Sequence, residues 1–192
     1  ETKNMRFWNS MGTSIYEITN MMKRLNLCRY CTFPNKENVT LNDLIYQLPD
    51  EADNAYPDSE RRFRFDIPTE KININADKEQ LLIAFNEIVS NCYEAGNDND
   101  IIDISASLSD DKTHCTITFT NKGTLPDIKI PKDFRQICTK DFYYPDDINI
   151  LSMAFYTTKP GHFGLGLFIA NTVCLNHGGC LDVTHDDTHT SF

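Results

Sequence analysis

The 192-residue sequence predicts an α+β fold, a two-layer α/β sandwich in which helices cover one face of a mixed sheet, preceded by a long amphipathic helix. Three observations carry this. Two strongly apolar helical segments, 77–95 and 166–176, lie among short stretches that alternate polar and apolar residues. Between them, Ile101 to Leu108 and His114 to Thr120 alternate across Ser109-Asp110-Asp111-Lys112, a hairpin signature. The first thirty residues instead carry a seven-residue repeat, with Met11, Ile18 and Leu25 on one row and Trp8, Ile15 and Met22 three places earlier.

In chain order, that repeat makes residues 1–32 one long helix whose apolar seam seeks partner helices, although Gly12 weakens its interior. Pro34-Asn35 ends it, and Val39 to Leu48 reads as a connecting strand turn or brief helix. Residues 49–62 are polar, acidic and contain proline, which predicts a loop. Arg64 to Ile67 and Lys71 to Asn75 read as short strands. Asp77 is placed to cap the helix that follows, whose apolar face is Leu81, Leu82, Phe85, Ile88, Val89 and Cys92. After Gly123 the pattern is irregular to about Met153, apart from a short helix expected near Asp133 to Cys138. A last helix stops at Gly178-Gly179, and a strand is expected over Cys180 to Thr184.

Composition limits the function. With 40% hydrophobic and 11% aromatic residues the chain can bury one substantial core. A formal charge of -10 removes the footing for broad contact with nucleic acid or anionic membrane, so any phosphate must be held locally. No apolar run approaches the roughly 18 residues of a spanning helix, which predicts a cytoplasmic piece without direct membrane contact. The absence of an initiator Met reads as an excised fragment and leaves open whether the parent is membrane-anchored. Seven scattered cysteines fit a reduced compartment, and Cys28-x-x-Cys31 lacks the second ligand pair of a zinc site.

Two constellations carry chemistry. On helix 77–95, Glu87, Asn91 and Glu94 recur at i, i+4 and i+7, opposite the apolar stripe, a pattern that a solvated helix face explains equally well. In Thr157-Thr158-Lys159-Pro160-Gly161-His162-Phe163-Gly164-Leu165-Gly166, the glycines permit close backbone approach, and Gly166 opens a helix whose first N–H groups favour an anion that Lys159 can also reach.

The stretch Phe155 to Gly179 resembles the F box, lid and second glycine box of sensor histidine-kinase catalytic domains. These belong to the GHKL, or Bergerat-fold, ATPase family, shared with DNA gyrase, a heat-shock chaperone and mismatch-repair ATPases. Asn86-Glu87-Ile88-Val89-Ser90-Asn91-Cys92-Tyr93-Glu94-Ala95 resembles the family's N box, Thr120 to Pro126 its first glycine box, and His185 to Phe192 the opening of its last strand. The resemblance implies an ATP-binding catalytic domain over 33–192 behind the second helix of a dimerisation bundle over 1–32, with ATP and Mg²⁺ as cofactors. It places Asn91 on the metal, Glu87 beside the attacking nucleophile, and Lys159, Thr158, Gly164, Leu165 and Gly166 around the phosphates. Asn121 and Gly123 fall at the adenine. It also implies a homodimer through the N-terminal helix, and a response-regulator receiver domain as partner.

This sequence departs from the pattern at three positions. Asn121 replaces the Asp that accepts from adenine, and its amide can accept or donate. Leu125 replaces a glycine, and Glu94 stands where many members have Lys. None of the five histidines reads as a phosphoacceptor: His185-Asp186 copies that motif only superficially, in a turn between strands, and His162 reads as a solvated lid residue. The competing readings are a degenerate or nucleotide-gated module that regulates a partner without phosphoryl transfer, and a mismatch-repair-type ATPase.

Overall fold

Asp77 organises the junction at which three helices meet. It precedes α4 (Lys78–Ala95) in extended backbone, and its side chain accepts from Gln80 N at 3.0 Å, the N-cap expected of it. Its second oxygen accepts from Asn35 N at 2.7 Å, and its own N–H donates to Nε2 of His177 at 2.9 Å, just past α5 (Gly166–Asn176). The end of α1 (Thr2–Tyr30) is tied to the same place. Gln80 Nε2 donates to the carbonyls of Tyr30 and Phe33, both at 3.1 Å, and Asn176 Nδ2 donates to that of Cys31 at 2.8 Å. These are carbonyls at the end of α1 and in the turn just after it. The junction is therefore a fixed joint.

The computed structural model describes residues 2–60, 62–97, 99–123 and 150–192. After α1 come β1 (Glu37–Thr40), α2 (Leu41–Ile45), α3 (Leu48–Ala55), β2 (Arg62–Asp66) and β3 (Asn73–Ala76). Helix α4 leads to the hairpin β4 (Ile101–Leu108) and β5 (Cys115–Lys122); a 3-10 turn at Ile150–Ser152, α5, β6 (Thr184–His185) and β7 (His189–Ser191) complete the described chain. The main sheet has the order β2-β4-β5-β7-β6. Its β2–β4 pair is parallel and the rest antiparallel, so the mixed sheet is observed as expected. Strands β1 and β3 form a separate antiparallel pair, with Val39 opposite Ile74. Helices α4 and α5 pack on the main sheet: Phe85, Ile88 and Ile169 are buried with Ile102, Ile104 and Phe119 in one core.

Helices α1, α4 and α5 and the hairpin follow the sequence reading to within a few residues. Two segments differ. Residues 48–55 form a helix where a loop was expected; Pro49 is tolerated in its first turn, where its missing N–H costs nothing, with Asp50 and Glu51 beside it. Leu48 and Ala52, one turn apart, are buried under it. The strand expected over Cys180 to Thr184 shrinks to Thr184–His185, the only residues there that find a partner, β7, across the sheet edge. Leu181 is instead buried in the core, its N–H 3.4 Å from Asn171 Oδ1. The helix expected near Asp133 to Cys138 lies outside the described residues.

Asp77→Ala removes the cap of α4 and the acceptor of Asn35 N, so it should lower unfolding free energy by about 2–3 kcal/mol. Urea denaturation of both proteins checks this, and a midpoint equal to the parent's would show that the junction is not held by Asp77.

Candidate functional site

Helix α4 turns its apolar face to the sheet and the opposite face to a cavity of ≈ 710 Å³. Glu87, Asn91 and Glu94 line the cavity together, Glu87 and Asn91 half-buried in it and Glu94 exposed at its rim. Asn121 enters from the end of β5, and Thr158, Lys159, Gly164, Leu165 and Gly166 from the loop before α5. Gly123 alone of the expected residues is not among the lining. It supports the site from behind, with φ +131° and an α-hydrogen where a Cβ would lie 3.0 Å from the carbonyl of Ala95. Its carbonyl accepts from Thr190 Oγ1 at 2.8 Å. The lining adds apolar groups, among them Leu27, Leu151, Phe163 and Phe192.

The loop before α5 folds tightly because two glycines allow it. Gly164 has φ +64°, and a Cβ there would lie 2.5 Å from the carbonyl oxygen of Tyr156. Its own carbonyl accepts from Phe155 N at 2.8 Å, and Phe155 takes the costly left-handed value of φ 65°. A Cβ on Gly166 would lie 2.8 Å from Glu87 Oε2. The Glu87 carboxylate thus rests against the first residue of α5. Leu165 supplies no side-chain cap, so the N–H groups of that first turn have no intrahelical acceptor.

Each polar group around the cavity is oriented by a neighbour. Asn91 Nδ2 donates to the carbonyl of Glu87 at 2.9 Å, which turns Oδ1 outward, where Lys159 Nζ lies 3.3 Å away. Lys159 Nζ also bonds Glu94 Oε2 at 2.5 Å. Glu87 forms an ion pair with Arg24 of α1. Burial pushes its carboxyl above the ordinary value of 4.5, and the Arg24 charge and hydrogen bond only partly offset that. Asn121 is 1% exposed; its Nδ2 donates to the Lys122 carbonyl at 2.6 Å, and its Oδ1 has no partner. Because a carbonyl can be met only by the amide's NH₂, the neighbour dictates which end of Asn121 is left over. A buried acceptor without a donor costs about 1–3 kcal/mol, and Asn121 Oδ1 is the one such atom on the cavity lining among the described residues.

The sequence reading missed the α1 side of the cavity. Asn20, Lys23, Arg24 and Leu27 line it at i, i+3, i+4 and i+7, one helix face roughly opposite the heptad seam. A mostly polar stripe on a long helix looks like any solvated face, so no local signal marks it. The seam itself is exposed, with Trp8, Ile15, Ile18 and Met22 each at 57–63%. Of the histidines, His162 lines the cavity with its ring 3.8 Å from Glu94, whereas His177 is bound at both ring nitrogens, to Asp77 N and the Val173 carbonyl. Among the described residues no helix is long and apolar enough to cross a membrane.

Comparison with known proteins agrees with this geometry. The family described as histidine kinase-, DNA gyrase B- and HSP90-like ATPases matches residues 76–192, from the end of β3 through both cavity-lining helices to the last residue. The sensor protein VanS of Enterococcus faecium is 30% identical over 164 residues, covering 82% of this chain and 39% of VanS, so the chain spans about two fifths of that relative. Among solved structures, the catalytic domain of histidine kinase ThkA superposes with a TM-score of 0.60 at 20% identity, covering 82% of this chain and 91% of that one. The mycobacterial sensor histidine kinase MprB gives 0.59 at 19% identity, covering 81% and 94%. At those identities the two structures attest the fold, a helix-covered mixed sheet. The matched segment, more than half of the chain, shows that this chain belongs to the histidine kinase-, DNA gyrase B- and HSP90-like ATPase family.

Proposed function

We propose that this domain binds Mg²⁺-ATP in the α4–α5 cavity and passes the terminal phosphoryl group to a histidine on a bundle helix preceding this sequence, as part of a two-component sensor kinase. One observation carries the reading: Glu87, Asn91, Asn121, Lys159 and the Gly164–Gly166 backbone, from three separate parts of the chain, line one cavity. The residues present fit the cofactors. Asn121 Oδ1 is the unpaired acceptor that an adenine amino group would satisfy. Asn91 Oδ1, held outward, would supply a metal ligand, and the first turn of α5 with Thr158 and Lys159 would hold phosphate oxygens. Mg²⁺-ATP would supply the transferable phosphoryl group and charge neutralisation. Glu87 would orient the incoming nucleophile or accept its proton, a role that a carboxyl raised above 4.5 suits better than an ordinary one.

The exposed α1 seam supports a homodimer through residues 1–32, with residues 33–192 as the catalytic domain and a response-regulator receiver domain as the downstream partner. A dimer on the seam leaves the opposite α1 stripe on the cavity, so the two surfaces do not compete. A second reading, a nucleotide-gated module without phosphoryl transfer, is favoured by the Arg24–Glu87 ion pair, which occupies the carboxylate that the kinase reading assigns to the nucleophile.

The kinase reading is tested in two steps on the same protein. ADP binding measured by calorimetry should require Mg²⁺, and the affinity with Mg²⁺ should fall about tenfold or more in Asn91→Ala. The protein should phosphorylate a separately supplied bundle helix pair bearing His followed by Asp or Glu, while remaining unlabelled itself. Nucleotide binding without transfer would select the gated module, and acid-labile phosphate on this chain would redirect attention to His185.

Asn121→Asp should not sharpen the preference for ATP over GTP, because the parent already presents only an acceptor. The new carboxylate would face the Lys122 carbonyl, 2.6 Å from the present amide nitrogen, and should cost about 1–3 kcal/mol of stability or binding. Competition of the two nucleotides for parent and variant decides this, a clear gain in ATP selectivity being the contrary result.

Arg24→Met removes the partner of Glu87 and should raise its carboxyl further. A carboxyl whose folded value lies above its unfolded one favours the protonated fold, so stability falls as pH rises from 4.5 through the folded value, and the cost is complete above it. The variant should therefore lose about 1–2 kcal/mol near pH 8, between an exposed and a buried pair, and less near pH 5. Urea midpoints at the two pH values check this, and equal losses at both would show that the pair contributes no linked proton.

A further inference from the structure

Lys159 Nζ has two oxygen partners on α4. It lies 3.3 Å from Asn91 Oδ1 and 2.5 Å from Glu94 Oε2, so an amide oxygen and a carboxylate oxygen three residues apart on one helix face converge on a single cationic point inside the cavity. Neither oxygen is there by accident of rotamer. The Glu87 carbonyl takes the Asn91 NH₂ and turns Oδ1 toward that point. Ser90 Oγ, 2.7 Å from the hydroxyl of Tyr56, lies 3.4 Å from Glu94 Oε1, and Oε2 is the oxygen that meets Lys159. On the same cavity lining, the buried Asn121 leaves its Oδ1 without a partner, an acceptor that a ligand in this space would satisfy.

We propose that Glu94 is a second side-chain ligand, with Asn91, of the divalent cation that accompanies the nucleotide, and that the Lys159 ammonium marks the position of that cation in the nucleotide-free protein. The proposal rests on the nucleotide reading. A hard divalent cation prefers one amide and one carboxylate oxygen, completed by phosphate oxygens and water, to an ammonium at longer range. When the cation takes this position, Lys159, on a loop at the cavity rim and with four flexible carbons, is released toward the phosphates. Among the described residues no group of three or more His, Cys, Asp or Glu is placed to hold a metal by itself. Two side-chain oxygens therefore make a site that fills only together with the nucleotide.

The charge arrangement gives Glu94 a signature that a merely structural role lacks. A carboxylate at this point repels a bare di- or triphosphate and welcomes a metal-bound one. It should make nucleotide binding strictly metal-dependent, whereas a residue that only positions Lys159 would support bare and metal-bound nucleotide alike.

The experiment compares parent, Glu94→Gln and Glu94→Lys as full chains, reading Mn²⁺ by electron paramagnetic resonance at saturating ADP, and ADP by calorimetry with EDTA and with Mg²⁺. Glu94→Gln should weaken Mn²⁺ about tenfold or more while leaving ADP affinity in EDTA equal or higher. Glu94→Lys should bind ADP without metal. Parental Mn²⁺ affinity in Glu94→Gln would overturn the proposal, as would a loss of ADP affinity by the same factor with and without metal, which would make Glu94 a support for Lys159 alone. A parent that binds no ADP under either condition would overturn the nucleotide reading itself. Thermal melts of the variants, matched to the parent, separate these outcomes from misfolding.

Discussion

Everything in the site depends on the rotational register of α4. One face carries Leu81, Ala84, Phe85, Ile88, Val89 and Cys92 into the core, and the other carries Glu87, Asn91 and Glu94 to the cavity. With about 3.6 residues per turn, a slip of one position turns the helix by some 100° and would drive a carboxylate into the sheet. The register is pinned at its start, where Asp77 caps the helix and meets the end of α5 through His177, and where Gln80 holds the end of α1. Burial of the apolar face thus fixes chemistry on the polar one.

The electrostatics of the cavity follow from that placement. Two carboxylates on one helix face would repel each other and any phosphate. Each is matched by a cation from a different element, Arg24 from α1 for Glu87 and Lys159 from the loop before α5 for Glu94. Neither cation is fully buried, so both remain free to exchange partners at modest cost. In a chain of net charge -10, backbone N–H groups and the cations Lys23, Arg24 and Lys159 on the lining would favour an anionic ligand in the cavity.

Helix α1 presents two different surfaces. Its heptad seam stands exposed, while the stripe Asn20, Lys23, Arg24 and Leu27 on the other side closes the cavity. Its end is joined to α4 and α5 by Gln80 and Asn176, and Arg24 on the same helix pairs with Glu87.

The local sequence by itself determined the elements whose signals are short-range. The cap and periodicity of α4, the extent of α5 and the β4–β5 hairpin are readable because capping, helical spacing and strand alternation are properties of neighbouring residues. The boxes around Asn91, Asn121 and Gly164–Gly166 were legible for the same reason, since each is a contiguous run. Tertiary structure decided the rest. Residues 48–55 became helical because Leu48 and Ala52 found a core to bury in, which a proline and acidic stretch does not announce. Asn121 became an acceptor because Lys122 took its NH₂, and Glu94 turned from a departure in a motif into a partner of Lys159. Arg24 reached Glu87 across 63 residues of chain. Such pairings depend on which surfaces meet after burial, and hydrophobic periodicity says where a helix lies but not which charged side chain waits on the element it will face.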